Sequence, residues 1–136
     1  MKVFFAFALS AGILTSFVNY NSSSFPDIYV KAIAVKDTVA VGETYKAKLF
    51  IVNGKELGGT TPPVMYYMYD CCYNIFADGK KAIVKNDTAY VEFIVPDYKS
   101  KKKLSIEHWG ARVTQQTKNG SDTTFLMNFA YAAIRK

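Results

Sequence analysis

From Asp27 onward, apolar and polar positions alternate over short runs, and no stretch sustains the 3.6-residue repeat of an amphipathic helix. The runs are rich in valine, isoleucine, threonine, tyrosine and phenylalanine, which fit a pleated, half-buried surface. The pattern predicts strands over residues 28–35, 44–52, 64–69, 73–76, 81–85, 88–95, 103–114 and 123–134. Between them lie Val41-Gly42-Glu43, Asn53-Gly54, Gly58-Gly59 ahead of Pro62-Pro63, Asp78-Gly79, Asn86-Asp87, Pro96-Asp97 and Asn119-Gly120. Asp-Gly and Asn-Gly favour tight turns because both residues tolerate positive φ.

Alternation also assigns faces, since successive strand side chains point to opposite sides of a sheet. Tyr45, Ala47, Leu49 and Ile51 are expected inside, with Lys46 and Lys48 facing water and Phe50 and Val52 partly covered. Val91, Phe93 and Val95 point in, and Thr88, Tyr90 and Glu92 point out. On the last strand Phe125, Met127, Phe129 and Tyr131 share one face. Leu104, Ile106 and His108 have the opposite parity to Ala111 and Val113, which predicts a bulge at Trp109-Gly110. Two sheets packed through these inward sets make an all-β fold, an immunoglobulin-like β-sandwich of about seven to eight strands, with residues 25–136 as its single domain.

The first residues change the picture. A lone Lys2 precedes an apolar run over residues 3–18, and the polar stretch 19–26 follows, the pattern of a secretory signal segment over residues 1–24. The run is shorter than the roughly 20 apolar residues that span a bilayer. Removal near Ser22 to Ser24 is expected, an uncleaved anchor being the alternative and the chain's only expected link to a membrane. An exported location follows, in the periplasm, at the cell surface or outside the cell.

Composition narrows the chemistry. Of 136 residues half are apolar, which excludes a disordered polymer. One histidine and two adjacent cysteines make no zinc-type ligand set, so neither metal nor cofactor is expected. The net charge of +6 suits contact with acidic lipid or polysaccharide, or plain solubility, and no nucleic-acid partner is expected.

The run Val41-Gly42-Glu43-Thr44-Tyr45-x-Ala47-x-Leu49-Phe50 resembles the opening of the middle periplasmic domains of the gliding-motility M proteins, part of the Bacteroidetes type IX secretion motor. Thr88-Ala89-Tyr90-x-x-Phe93, Trp109-Gly110-x-Arg112, Asn119-Gly120 and Phe129-x-Tyr131 extend the resemblance along the chain from about Lys36. It implies an immunoglobulin-like module making protein–protein contacts in the envelope, with no catalytic residues to carry across. The pair Cys71-Cys72 has no counterpart in that pattern.

The most distinctive segment is Met65-Tyr66-Tyr67-Met68-Tyr69-Asp70-Cys71-Cys72-Tyr73. Both parities of its strand are apolar or aromatic, so Tyr66, Tyr67, Tyr69 and Tyr73 are candidates for an interface with another envelope protein, a second copy or a glycan; burial on both faces within the domain is the alternative. Cys71 and Cys72 are candidates for redox chemistry or a disulfide. Adjacent Cα atoms lie about 3.8 Å apart, below the usual span of about 4.4 to 6.8 Å, so a ring between them is strained. Lys99, Lys101, Lys102 and Lys103 form a candidate basic patch at a turn. His108 reads as a core or rim residue, and Asp70, Glu92, Glu107 and His108 fall on different runs with no motif joining them. The expected function is therefore a non-catalytic binding module. A structural subunit assembling through sheet edges, and a carbohydrate-binding module using exposed tyrosines, are the alternatives.

Overall fold

The computed structural model describes residues 27–70, 79–99 and 102–136. Among them are nine strands: β1 (Tyr29–Ala34), β2 (Thr38–Ala40), β3 (Thr44–Val52), β4 (Val64–Met68), β5 (Lys80–Lys81), β6 (Ile83–Lys85), β7 (Thr88–Ile94), β8 (Leu104–Gln116) and β9 (Asp122–Ile134). They form a four-stranded sheet in the order β1-β3-β7-β6 and a five-stranded sheet in the order β2-β9-β8-β4-β5. With β1 as A, β2 as its continuation, and β3 to β9 as B, C, C′, D, E, F and G, these are the ABED and GFC sheets of the immunoglobulin sandwich.

The alternation in the sequence sets the core. Tyr45, Ala47 and Leu49 of β3 and Ala89 and Val91 of β7 meet Met65 of β4, Trp109, Ala111 and Val113 of β8, and Phe125, Phe129 and Tyr131 of β9. Immunoglobulin domains commonly cross-link strands B and F by a disulfide. Here the buried indole N–H of Trp109 on β8 donates to Tyr45 Oη on β3 at 3.1 Å, a polar link between the two sheets. The Tyr45 ring also stacks on Phe93 at 5.0 Å and lies 4.9 Å from Tyr131.

Three expectations are corrected. The chain from Ala34 to Thr38 changes sheets, and β2 pairs parallel with β9 through Thr38↔Ala132 to Ala40↔Ile134. Three residues show no alternation to read. The run 81–85 is two strands, because Ala82 is buried and its N–H bonds Met65 O at 2.8 Å while the chain crosses from the five-stranded to the four-stranded sheet. There is no bulge at Trp109-Gly110, since β8 pairs with β9 without a break from Leu104↔Ile134 to Gln116↔Asp122. Leu104 and Ile106 stay outside, 56% and 52% exposed, and so does His108 on the same parity.

Candidate interaction surface

The tyrosine-rich strand separates its residues into three environments. Tyr67 points inward, 4% exposed, and its hydroxyl donates to Glu92 O at 3.0 Å, so it is a core residue and leaves the set of surface candidates. Tyr66 lies half-buried on the outer face of the five-stranded sheet, with the Arg112 guanidinium 4.5 Å from its ring centre and Lys81 opposite it on β5. Tyr69, just past the strand end, is 50% exposed and lies 6.3 Å from Phe93 at the open side of the sandwich. Cys71, Cys72, Tyr73 and Lys101 lie outside the described residues. Lys99, Lys102 and Lys103 are exposed on the connection from β7 to β8.

Near that connection, the Tyr98 hydroxyl shares a hydrogen bond with Tyr131 Oη and lies 3.4 Å from the Tyr69 carbonyl oxygen. Arg135 pairs with Asp97 and donates to Tyr98 O at 3.2 Å, tying the connection to the end of β9. Burial pushes the phenols of Tyr45 and Tyr98 up to about 12, and pushes Tyr131 upward too, with its hydrogen bond to Tyr98 adding to the rise. These hydroxyls stay protonated at neutral pH. Glu107 and His108 project to opposite faces of β8, and Glu92 faces outward on β7. Among the described residues no group of three or more histidines, cysteines or carboxylates could hold a metal ion.

A larger exposed apolar set lies on the other sheet. The register aligns Ile83, Tyr90, Lys48 and Ile33 in one row across β6, β7, β3 and β1, with Lys85, Thr88, Phe50 and Lys31 in a neighbouring row. Glu92 and Lys46 pair in the row on the other side, where Val35 bonds Lys46 O, and Ile94 lies beyond. On this outer face Ile83 is 70% exposed, Val35 70%, Ile94 66%, Tyr90 50% and Ile33 36%. Lys31, Lys46, Lys48 and Lys85 stand among them, all exposed, against Glu92, the one carboxylate on these rows among the described residues. A groove of about 1090 Å³ continues from this face around the sandwich side, with Tyr69 on one wall and Ile83, Tyr90 and Ile94 on the other. The sequence signal was Lys31-x-Ile33-x-Val35, Ile83-x-Lys85 and Tyr90-x-Glu92-x-Ile94, outward parities carrying aliphatic residues where polar ones are the rule.

No protein family and no curated protein matches the chain. Among solved structures, the soluble domain of PmoD from Methylocystis sp. ATCC 49242 aligns with 78% of this chain and 90% of its own length, at 13% identity and a TM-score of 0.43.

Proposed function

We propose that this chain is an exported, non-catalytic binding module that docks on another envelope protein through the outer face of its four-stranded sheet and the adjoining groove beside Tyr69. One observation carries the reading: five large apolar side chains from β1, β6, β7 and their flanks share a single outer face, each more than a third exposed. Burying such a cluster against a partner removes apolar area from water at about 25 cal/mol per Å², whereas isolated exposed residues call for no explanation. The four interleaved lysines set the partner's character, because a face with one carboxylate among four ammonium groups is matched by an acidic surface with an apolar centre. A groove of about 1090 Å³ is large for a small-molecule site and suits a protruding loop or strand.

The envelope setting rests on the lysine-led apolar run over residues 3–18 and on the resemblance of the Val41 to Phe50 run to the gliding-motility M-protein domains. The residues carrying that resemblance build the turn into β3. Gly42 takes φ 88° and donates to Val95 O, Val95 returns a bond to Glu43 O, and Tyr45 enters the core. No motor role is proposed on them. The strand-exchange alternative draws less support, because β9 is hydrogen-bonded within the chain on both sides, by β8 and β2.

The test is a photo-crosslinking residue placed at Tyr90 in the protein's native cells, with Asp122 on the five-stranded sheet as the control position. The reading expects a discrete protein adduct from Tyr90 that is absent from Asp122 and lost on combining Lys46→Glu with Lys48→Glu. Equal labelling from both positions, labelling of lipid alone, or an adduct indifferent to charge reversal would overturn it.

A further inference from the structure

We infer that a polar cleft at the loop end of the sandwich, between the 53–63 connection and the Asn86-Asp87 turn, is a binding site for a neutral saccharide. The cleft measures about 640 Å³ and is lined by Phe50, Asn53, Thr60, Asn86, Asp87 and Gln115, with other residues of the two loops. That volume falls within the roughly 300–1000 Å³ of small-ligand sites. It adjoins one end of the proposed protein-binding face, sharing Phe50 and Thr88 with it, but none of the five exposed apolar residues that carry the protein-binding reading lines it, so the two readings rest on different residues.

Gln115 points to a ligand. It is the buried polar side chain of the described core, 8% exposed at the end of β8. Its Nε2 donates to Thr61 O at 2.9 Å and to Gln116 O at 3.2 Å. Both partners are carbonyl oxygens, which fixes the amide's orientation. Among the described residues Oε1 is then left without a hydrogen-bond partner, on a residue that lines the cleft. A nearly buried amide held by its nitrogen and presenting its oxygen is a preset hydrogen-bonding position.

The walls are also preset. Gly58 bridges Thr117, and Lys118 N bonds Leu57 O at 2.8 Å, so the 53–63 connection is tied to the β8–β9 turn. Gly59 passes so close to β8 that a Cβ there would lie 1.9 Å from Gln116 O. On the opposite wall Asn86 and Asp87 both take left-handed backbone, φ 51° and 60°, as a two-residue turn between β6 and β7 requires.

The chemistry selects the ligand class. Side-chain amides and hydroxyls both donate and accept, and a carboxylate accepts twice, so the lining matches sugar hydroxyls, which also do both. A phosphate would call for donors and cations, and the cleft offers Lys55 alone against Glu56 and Asp87. A tightly held metal ion would call for more charged oxygens than those two carboxylates. Phe50, half-buried at the cleft, supplies apolar surface of the kind a pyranose ring covers.

The test is amide-resolved NMR titration of the full chain with maltohexaose, cellohexaose and chitohexaose in turn, and with calcium alone. At least one oligosaccharide should shift Asn53, Thr60, Asn86, Asp87 and Gln115 and leave Tyr90 and Ile94 unmoved. Asp87→Gly keeps the left-handed turn and should weaken that binding at least about tenfold. Gln115→Met should do the same, and where it lowers stability the Asp87→Gly result decides. No shifts with any of the three sugars, shifts centred elsewhere, a response to calcium alone, or binding indifferent to Asp87→Gly would each overturn the inference.

Discussion

Changing Tyr45 to Phe removes one oxygen from the middle of the sandwich and little else. The ring keeps its place against Phe93 and Tyr131 at 5.0 and 4.9 Å, so the transfer and cavity costs of a large-to-small change are absent. What goes is the acceptor for the Trp109 indole N–H, which is fully buried and has Tyr45 Oη as its partner at 3.1 Å. An orphaned buried donor costs about 1 to 3 kcal/mol, a large share of a typical 5 to 15 kcal/mol, and each kcal/mol lowers Tm by roughly 4 to 8 °C for a domain near this size. The phenol also titrates. Burial raises it to about 12 from 10.0, so its contribution is fully present below pH 10 and is lost as pH climbs through 12. At about 1.4 kcal/mol per pKa unit the wild-type protein forfeits roughly 2 to 3 kcal/mol from this group once it is fully titrated, about half of it by pH 11. Urea melts at neutral pH and near pH 11 separate the two effects. The variant should be less stable at neutral pH and should lose less on going alkaline. A change below about 0.5 kcal/mol at neutral pH, the range of an inert surface substitution, would refute the inter-sheet link, and an unchanged alkaline loss would refute the titration.

Other substitutions test other parts of the account. Tyr67→Ala should cost about 3 to 5 kcal/mol in denaturant melts, as for a buried aromatic, while Tyr66→Ala on the outer face should cost far less; equal costs would mean that the two faces of β4 are misassigned. Gly59→Ala drives a methyl into Gln116 O and should destabilise by about 1 to 3 kcal/mol through displacement of the 53–63 connection, and a neutral melt would contradict the close approach. Intact-mass measurement of the exported protein should show loss of the residues up to about Ser24, whereas a retained Met1 in a membrane fraction would favour the anchor.

The sandwich was legible because most of its strands present one face to the core and one to water. The lysines at 46 and 48 alternate with Tyr45, Ala47 and Leu49, and the assigned parities of β3, β7 and β9 are the observed ones. Reading failed where that contrast vanished. Thr38–Ala40 is too short to alternate and takes its place from parallel pairing with a strand some ninety residues away. Leu104 and Ile106 are apolar yet exposed, so apolar identity suggested a change of face that an unbroken ladder does not make. The exposed apolar set on the four-stranded sheet was not read from the sequence for a related reason. Aromatic density drew attention to β4, where Tyr67 is spent on the core, whereas Ile33, Val35, Ile83, Tyr90 and Ile94 are scattered through the sequence and meet only when the register aligns their strands. The polar cleft is likewise assembled from loops about thirty residues apart, with Gln115 contributed by a third segment.

The central claim, that the outer face of the four-stranded sheet meets an acidic protein partner, is tested most directly by lysine reactivity in place. Lys31, Lys46, Lys48 and Lys85 lie on that face, while Lys102, Lys103 and Lys118 are exposed elsewhere. Acetylation rates for each would be compared by mass spectrometry between the purified protein and the intact cell envelope. The account predicts that the four lysines of the face are slowed several-fold in the envelope and the other three are not. Equal rates in both settings, or slowing confined to Lys102, Lys103 and Lys118, would contradict it.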